Sequence, residues 1–193
     1  LMQNYRQFIH QEYGVRQLLV EHTHFNDPEK REHIRRLLIR AAQQKTIPIV
    51  NYNDPVSDEE NRKMELAIRR SHGDQVVECV DNDETAAVIA NLVHAKKLVL
   101  MTSTEGIYRD PADPKTLVEQ VTAKSMEELE EKVRQLQESC VGASRAGANG
   151  AKAKLEYALK SARQGTMVII GHARHRLSDL VEGRVACTRI GLE

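Results

Sequence analysis

Residues 80–111 read VDNDETAAVIANLVHAKKLVLMTSTEGIYRDP, and the fold turns on how they are parsed. Asp81, Asn82 and Asp83 suit a helix start, because short side-chain oxygens satisfy the free N–H groups of a first turn. Ala87, Ile89, Ala90 and Val93 then supply the apolar positions of the helix. One cap suffices for a helix, so three consecutive hydrogen-bonding side chains leave oxygens directed out of its mouth, where ligands gather. Residues 98–101 follow as a buried strand, and Thr102, Ser103, Thr104 and Gly106 form its polar exit.

The same alternation extends in both directions. Upstream, residues 1–13 carry Met2, Tyr5, Phe8 and Ile9 at helical spacing, and residues 16–21 read as a short strand. Asp27 with Pro28 marks a helix start, and Ile34, Leu37, Leu38 and Ala41 give that helix its apolar stripe. Strand 47–50, an exposed charged helix over 58–70 and strand 76–80 complete the first half. Downstream, Ser125 with Glu128 is a capping box opening a helix to about Glu138. An alanine-rich helix follows over 151–162. Strands 167–170 and 187–190 flank a short helix at 176–182. Strands alternating with helices predict an α/β domain with a mostly parallel sheet covered on both faces. Ligands of such sheets sit at the carboxyl ends of strands, and here those ends hold the polar clusters 51–54, 81–83, 102–104 and 171 onward.

Composition narrows the function classes. The 193 residues carry 28 basic and 28 acidic side chains, so no electrostatic footprint for nucleic acid is present. No run has the length of a membrane span and no leader is visible, so a soluble domain is expected. Cys79, Cys140 and Cys187 are odd in number and lack metal spacing, which points to free thiols in a reducing cytoplasm. His22 with His24 and His172 with His175 have no acidic or cysteine partner at a ligand-like spacing, so no metal site is expected.

Two further segments carry chemistry. Asn51-Tyr52-Asn53-Asp54 leaves the strand IPIV and reads as a turn before Pro55, or as a substrate cluster at a strand end. Residues 147–154, GANGAKAK, form a small-residue loop that opens the alanine-rich helix. Small residues let backbone N–H groups approach a phosphate, and a lysine neutralises charge as a phosphoryl group moves. The Walker spacing is absent.

The segments IPIVNYNDPV, DNDETAAVIANLV, KKLVLMTSTEGIYRDP, GANGAKAKLEYA and EGRVACTRI, in this order, resemble the amino acid kinase family, and within it the glutamate 5-kinases. The resemblance implies a three-layer α/β/α sandwich and one kinase-like domain over 1–193. It also implies ATP-dependent transfer of the γ-phosphate to the side-chain carboxylate of glutamate, the first step of proline biosynthesis. Asp83 resembles the aspartate that organises the catalytic lysines, and Lys154 the lysine that stabilises the transferring phosphoryl group. Asn51, Asp54 and Asn82 resemble substrate-binding residues. Thr102, Ser103, Ala148, Asn149, Gly150, Ala151, Lys152, Ala153 and Lys154 lie where the family binds nucleotide. Mg2+ is implied as cofactor, held mainly by phosphates and water.

The implied partners are ATP, glutamate and further copies of the chain in a homo-oligomer, with no nucleic acid or membrane. The chain departs from the family's pattern at Ser103, where aspartate is usual, at Tyr52, where glutamate is usual, and at Ala148 and Asn149. The stretch between Asp54 and Asp81 is longer than usual. The family's first strand and Lys-x-Gly loop have no counterpart here, so the match is to the later part of the domain, with little turnover expected of these residues alone. Two alternatives remain open: a paralogue that binds nucleotide or amino acid as a regulatory subunit, and a kinase acting on uridylate or an isoprenoid phosphate.

Overall fold

A computed structural model describes residues 2–53, 59–71, 76–79, 82–110, 112–139 and 150–193. The chain forms two compact units, Leu1–Thr85 and Ala86–Glu193.

The first unit is built on a βαβ arrangement. Strand β1 (Gly14–Val20) pairs in parallel with β2 (Thr46–Tyr52), in a register running from Gly14 opposite Thr46 to Val20 opposite Tyr52. Helices α2 (His22–Asn26) and α3 (Pro28–Gln43) make the crossover; α1 (Met2–Phe8) precedes it and α4 (Glu59–Ser71) follows. The start of α3 is as the sequence predicts. The Asp27 carboxylate accepts from the N–H groups of Glu29 and Lys30 at 2.9 and 3.0 Å, and Pro28 occupies the first turn, where its missing N–H is no loss. Ile34, Leu38 and Ala41 are the buried stripe of α3. Leu37 is not part of it and stands 40 % exposed, one residue out of phase with the buried face.

In this unit the expected opening helix is present but short, and one expected strand is absent. Helix α1 ends at Phe8 and buries no residue. Residues 76–79 form no strand: the Asn26 amide donates to the Val77 carbonyl and accepts from the Val77 N–H, both at 2.8 Å. A side chain thereby takes both backbone groups that a neighbouring strand would have used. Cys79 then turns to a φ of 51°, which ends the extended run.

The second unit carries a four-stranded sheet in the order β3, β7, β8, β6, formed by β3 (Lys97–Thr102), β6 (Gln120–Ala123), β7 (Met167–His172) and β8 (Thr188–Leu192). The pairs β3–β7 and β6–β8 are parallel and β7–β8 is antiparallel. Strand β6 was missed in the sequence because it is only four residues long; Val121 and Ala123 alternate into the core. A hairpin of β4 (Ile107–Tyr108) with β5 (Leu117–Val118) lies outside the sheet.

Side-chain alternation along β7 separates two cores. Val168 and Ile170 join Leu98, Leu129, Val133, Leu155, Ala158 and Ile190 on one face, packed by α5 (Asn82–Leu92), α6 (Met126–Ser139) and α7 (Ala151–Ala162). Ile169 points to the other face and meets Leu180 of α8 (Leu177–Glu182) and Cys187. Helices on both faces of the sheet give the layered α/β/α arrangement. Each fully buried Leu or Ile contributes about 1.5–3 kcal/mol.

Caps set where α6 and α7 point. Ser125 Oγ accepts the Glu128 N–H at 3.3 Å, while the Glu128 carboxylate reaches back to the Lys124 N–H at 3.3 Å and pairs with Lys132 at 2.8 Å. The expected capping box is present with its return bond shifted by one residue. Helix α7 leads into β7 through the turn 163–166, closed by bonds from the Gly165 and Thr166 N–H groups to the Ala162 and Ser161 carbonyls. So tight a turn folds α7 back antiparallel along β7. At 1.5 Å per residue its 12 residues run roughly 18 Å, close to the length of the six-residue strand. Its N terminus therefore stands at the carboxyl end of β7. No helix among the described residues is long and apolar enough to cross a membrane.

The α3 cap gives a pH-dependent prediction. The two N–H bonds, with Lys30 the larger contributor, hold the Asp27 carboxyl below its ordinary range. A lowered folded-state value adds stability above the unfolded value of about 3.9, and that stability is lost as the pH falls through the folded value. Asp27→Asn should keep the cap but flatten this part of the pH profile. Asp27→Ala should unfold at a lower temperature at pH 7, with the gap to the parent closing on acidification; thermal melts from pH 7 to pH 2.5 check both.

Candidate functional site

The carboxyl ends of β3 and β7 lie side by side, with Thr102 opposite His172. The Ala173 N–H donates to the Thr102 carbonyl at 2.8 Å, carrying the ladder one step beyond the strands. Thr102 is half-buried and Ser103 exposed, so the two hydroxyl-bearing residues picked out as nucleotide-facing stand at the rim of the sheet. Just after them, Gly106 is buried against β8. A Cβ there would sit 2.9 Å from the Thr188 backbone nitrogen and closer still to the Thr188 hydroxyl. That hydroxyl accepts the Ile107 N–H at 2.8 Å and donates to the Val118 carbonyl at 2.6 Å. Thr188 thus pins both strands of the β4–β5 hairpin, and Gly106 makes the close approach possible.

The loops after β3 and β7 are joined by side chains. Glu105 takes Arg174 on one carboxylate oxygen and His175 Nε2, at 2.6 Å, on the other. Its side chain is 16 % exposed, against 62 % for Arg174. The Arg174 N–H donates to His172 Nδ1 at 3.0 Å, and the His172 and His175 rings meet edge to face at 6.3 Å. No local pattern announces this group, because Glu105 lies 70 residues from His175. The acidic partner that the histidines lack among near neighbours arrives through the parallel pairing of β3 with β7.

Helix α7 opens at the same end of the sheet. Gly150 is its cap residue, in extended conformation and with no side-chain cap bond; the Ala153 and Lys154 N–H groups bond the Gly150 carbonyl at 3.1 and 3.3 Å. Ala151, Ala153 and Lys154 are half-buried and Lys152 is exposed, its carbonyl accepting from Gln137 at 3.1 Å. A helix mouth presenting backbone N–H groups, with a lysine one turn in, is suited to phosphate. Ala148 and Asn149 lie outside the described residues. Fold and sequence thus bring Thr102, Ser103 and residues 150–154 to one end of one sheet.

The remaining candidates belong to the first unit. Asn51 is half-buried in β2, opposite Leu19 of β1. At the end of that strand Asn53 donates to Glu21 Oε1 at 2.8 Å and Tyr52 OH lies 3.1 Å from His22 Nδ1. These bonds give the run after IPIV a structural role. Asn82 is exposed and Asp83 half-buried in the first turn of α5. Asp54 and Asp81 lie outside the described residues. Among the described residues no group of three His, Cys, Asp or Glu gathers that could hold a metal ion. The donors at the α7 end of the sheet, hydroxyls, helix N–H groups and a lysine, fit a polyphosphate that brings its own Mg2+ rather than a bare cation.

The model of the amino acid kinase family matches residues 2–172. The chain belongs to the amino acid kinase family. Among curated proteins it is 31 % identical over 196 residues to a glutamate 5-kinase of Geobacillus thermodenitrificans (strain NG80-2), a match covering 100 % of this chain and 47 % of that protein. It is 29 % identical over 195 residues to glutamate 5-kinase 1 of Bacillus subtilis (strain 168), covering 99 % of this chain and 48 % of that protein. The chain spans about half the length of the curated relatives it matches. A crystal structure of a protein from Aeropyrum pernix K1 superposes with a TM-score of 0.50 at 16 % identity, covering 93 % of this chain and 66 % of the other, a likeness of fold alone. The three-layer α/β/α class expected from the sequence is the class found, and all the candidate residues fall inside the span matched by the family.

Gly106→Ala tests how firmly the rim is held. The added methyl meets a backbone nitrogen that cannot turn aside, so the hairpin must shift, at about 1–3 kcal/mol. Urea unfolding should show that loss, and Gly106→Ala matching the parent would mean that the approach to Thr188 is not tight.

Proposed function

We propose that this chain belongs to a glutamate 5-kinase-type phosphotransferase that passes the γ-phosphoryl group of ATP to the side-chain carboxylate of glutamate, the first step of proline biosynthesis. The observation that carries the reading is the extent of the family match, which runs through the parallel pairs β1–β2 and β3–β7 and every candidate residue. The names of the relatives add the acceptor. Residues 1–193 are read as a single kinase-like domain matching the later part of the family's domain, working in a homo-oligomer in the cytoplasm.

The chemistry asks for little more than what these elements present. A glutamate carboxylate oxygen forms a bond to the γ-phosphorus while the bond from phosphorus to the β–γ bridging oxygen breaks, and ADP departs. The acceptor is already ionised near neutral pH, so no general base is required. Positioning and positive charge on the equatorial oxygens do the rest. Thr102, Ser103 and residues 148–153 hold the nucleotide in this reading, and Lys154 faces the phosphoryl group in transit. Asn51, Asp54 and Asn82 are assigned to the amino acid, and Asp83 to the role of the family's aspartate that organises the catalytic lysines. Mg2+, when bound with the nucleotide, neutralises charge between the phosphates.

Calorimetry with ATP·Mg2+ and with glutamate is the direct test. Both should register; silence toward both would instead favour a subunit that acts through protein contacts. In glutamate-dependent ADP release by the whole phosphotransferase to which this reading assigns the chain, Lys154→Met should lower kcat roughly 100-fold or more with KM for glutamate little changed, as expected for a group that acts on developing charge.

A further inference from the structure

Arg174 is a cation at the carboxyl end of β3 and β7 to which the proposed reaction assigns no role. It belongs to the loop directly after β7, on the rim that also carries Thr102 and Ser103 and at the end where α7 opens. One guanidinium nitrogen, Nη2, bonds a Glu105 carboxylate oxygen, and the other Glu105 oxygen is taken by His175 at 2.6 Å. The carboxylate is largely buried while the arginine side chain is 62 % exposed. Among the described residues its remaining guanidinium N–H groups meet no partner.

A guanidinium tied at one nitrogen to a largely buried carboxylate is unlike an ordinary surface arginine. Its five donors are in a rigid plane, so a bond at Nη2 restricts where the others point, and part of the entropy of ordering the side chain is spent before a ligand arrives. The start of the loop is tied as well: the Ala173 N–H donates to the Thr102 carbonyl at 2.8 Å, and the Arg174 N–H donates to His172 Nδ1 at 3.0 Å. A ligand that suits the remaining guanidinium donors has paired oxygens and negative charge, as a phosphate does.

We infer that Arg174 is a phosphate-binding residue of the nucleotide site, aimed by Glu105 as its positioning residue. The inference rests on the proposed nucleotide site and adds to it a second cation, opposite in chain direction to Lys154: one enters from the helix before β7, the other from the loop after it. Glu105 offsets part of the arginine's charge, so the contribution of Arg174 is directional hydrogen bonding more than bulk attraction. His175 occupies the second carboxylate oxygen and prevents Glu105 from turning both oxygens to the arginine.

The experiment titrates the chain with ATP·Mg2+ and with inorganic tripolyphosphate, for the parent, Arg174→Ala, Arg174→Lys, Glu105→Gln and the pair of Glu105→Gln with Arg174→Ala, with thermal melts to establish folding. Arg174→Ala should weaken both ligands roughly tenfold or more, the range of a hydrogen bond to a charged group, and Arg174→Lys should restore only part of it. Glu105→Gln should weaken both in the same sense, and the double variant should be no weaker than Arg174→Ala, because the two act as one unit. Unchanged affinity in a folded Arg174→Ala chain overturns the inference, as does weakened ATP with unchanged tripolyphosphate, which would place the contact away from the phosphates. A parent chain that binds neither ligand overturns the nucleotide site itself, an outcome distinct from a parent that binds and an Arg174→Ala variant that binds equally well.

Discussion

Strand β7 is the constraint on which the second unit depends. Val168, Ile169 and Ile170 are all fully buried, so the strand is closed on both faces and must have helices on each. It also has a neighbour on each edge, β3 in parallel and β8 in antiparallel pairing. A strand satisfied in four directions has no freedom of register, since a slip of one residue would exchange the two cores. The direction of β7 then places everything else: the short turn before it fixes α7, its partner β3 brings Thr102 beside His172, and the loops that leave both strands must share one rim.

The sequence reveals this architecture where a pattern repeats and hides it where a single bond decides. Asp27 with Pro28, Ser125 with Glu128 and the alanine-rich run before β7 announce helices by local chemistry, and the helices are there. The stretch 76–80 looks as strand-like as the real strands by composition. What decides it is Asn26, 51 residues away, whose amide takes the Val77 backbone groups. Strand β6 errs the other way, since four residues with two inward positions give too short a period to stand out, and only pairing with β8 makes it a strand. Leu37 shows the limit of a helical stripe. It is as apolar as Leu38, but the turn angle sends one of them into the core and the other to the surface.

The candidate site divides along the same line. Thr102, Ser103 and the loop before α7 were legible because ligands of parallel sheets collect at strand ends, and small residues before a helix are a local signal. Glu105, Arg174 and His175 were not. Each is unremarkable in its own segment, and the pair of histidines was set aside for want of a nearby acid. Parallel pairing brings together residues from loops about 70 positions apart, and no spacing rule reaches that far.

This difference in legibility has a physical cause that bears on the proposed reaction. Transfer of a phosphoryl group to a carboxylate brings two anions together, so the barrier is governed by how well positive charge is fixed around the equatorial oxygens and hardly at all by proton transfer. Fixing a cation needs a partner that aims it, and a partner on the same loop would move with it. Glu105 on the β3 side holds Arg174 on the β7 side, so the guanidinium is referred to two strands at once, and the strands are locked by the buried faces of β7. Lys154 obtains its reference from the helix that the same strand orients. On the proposed reading, the chain's net charge of +0 is therefore a poor guide to its affinity for a polyphosphate. On the same reading, what matters is that two cations, Lys154 and Arg174, serve one rim from opposite directions along the chain, each on an element next to β7.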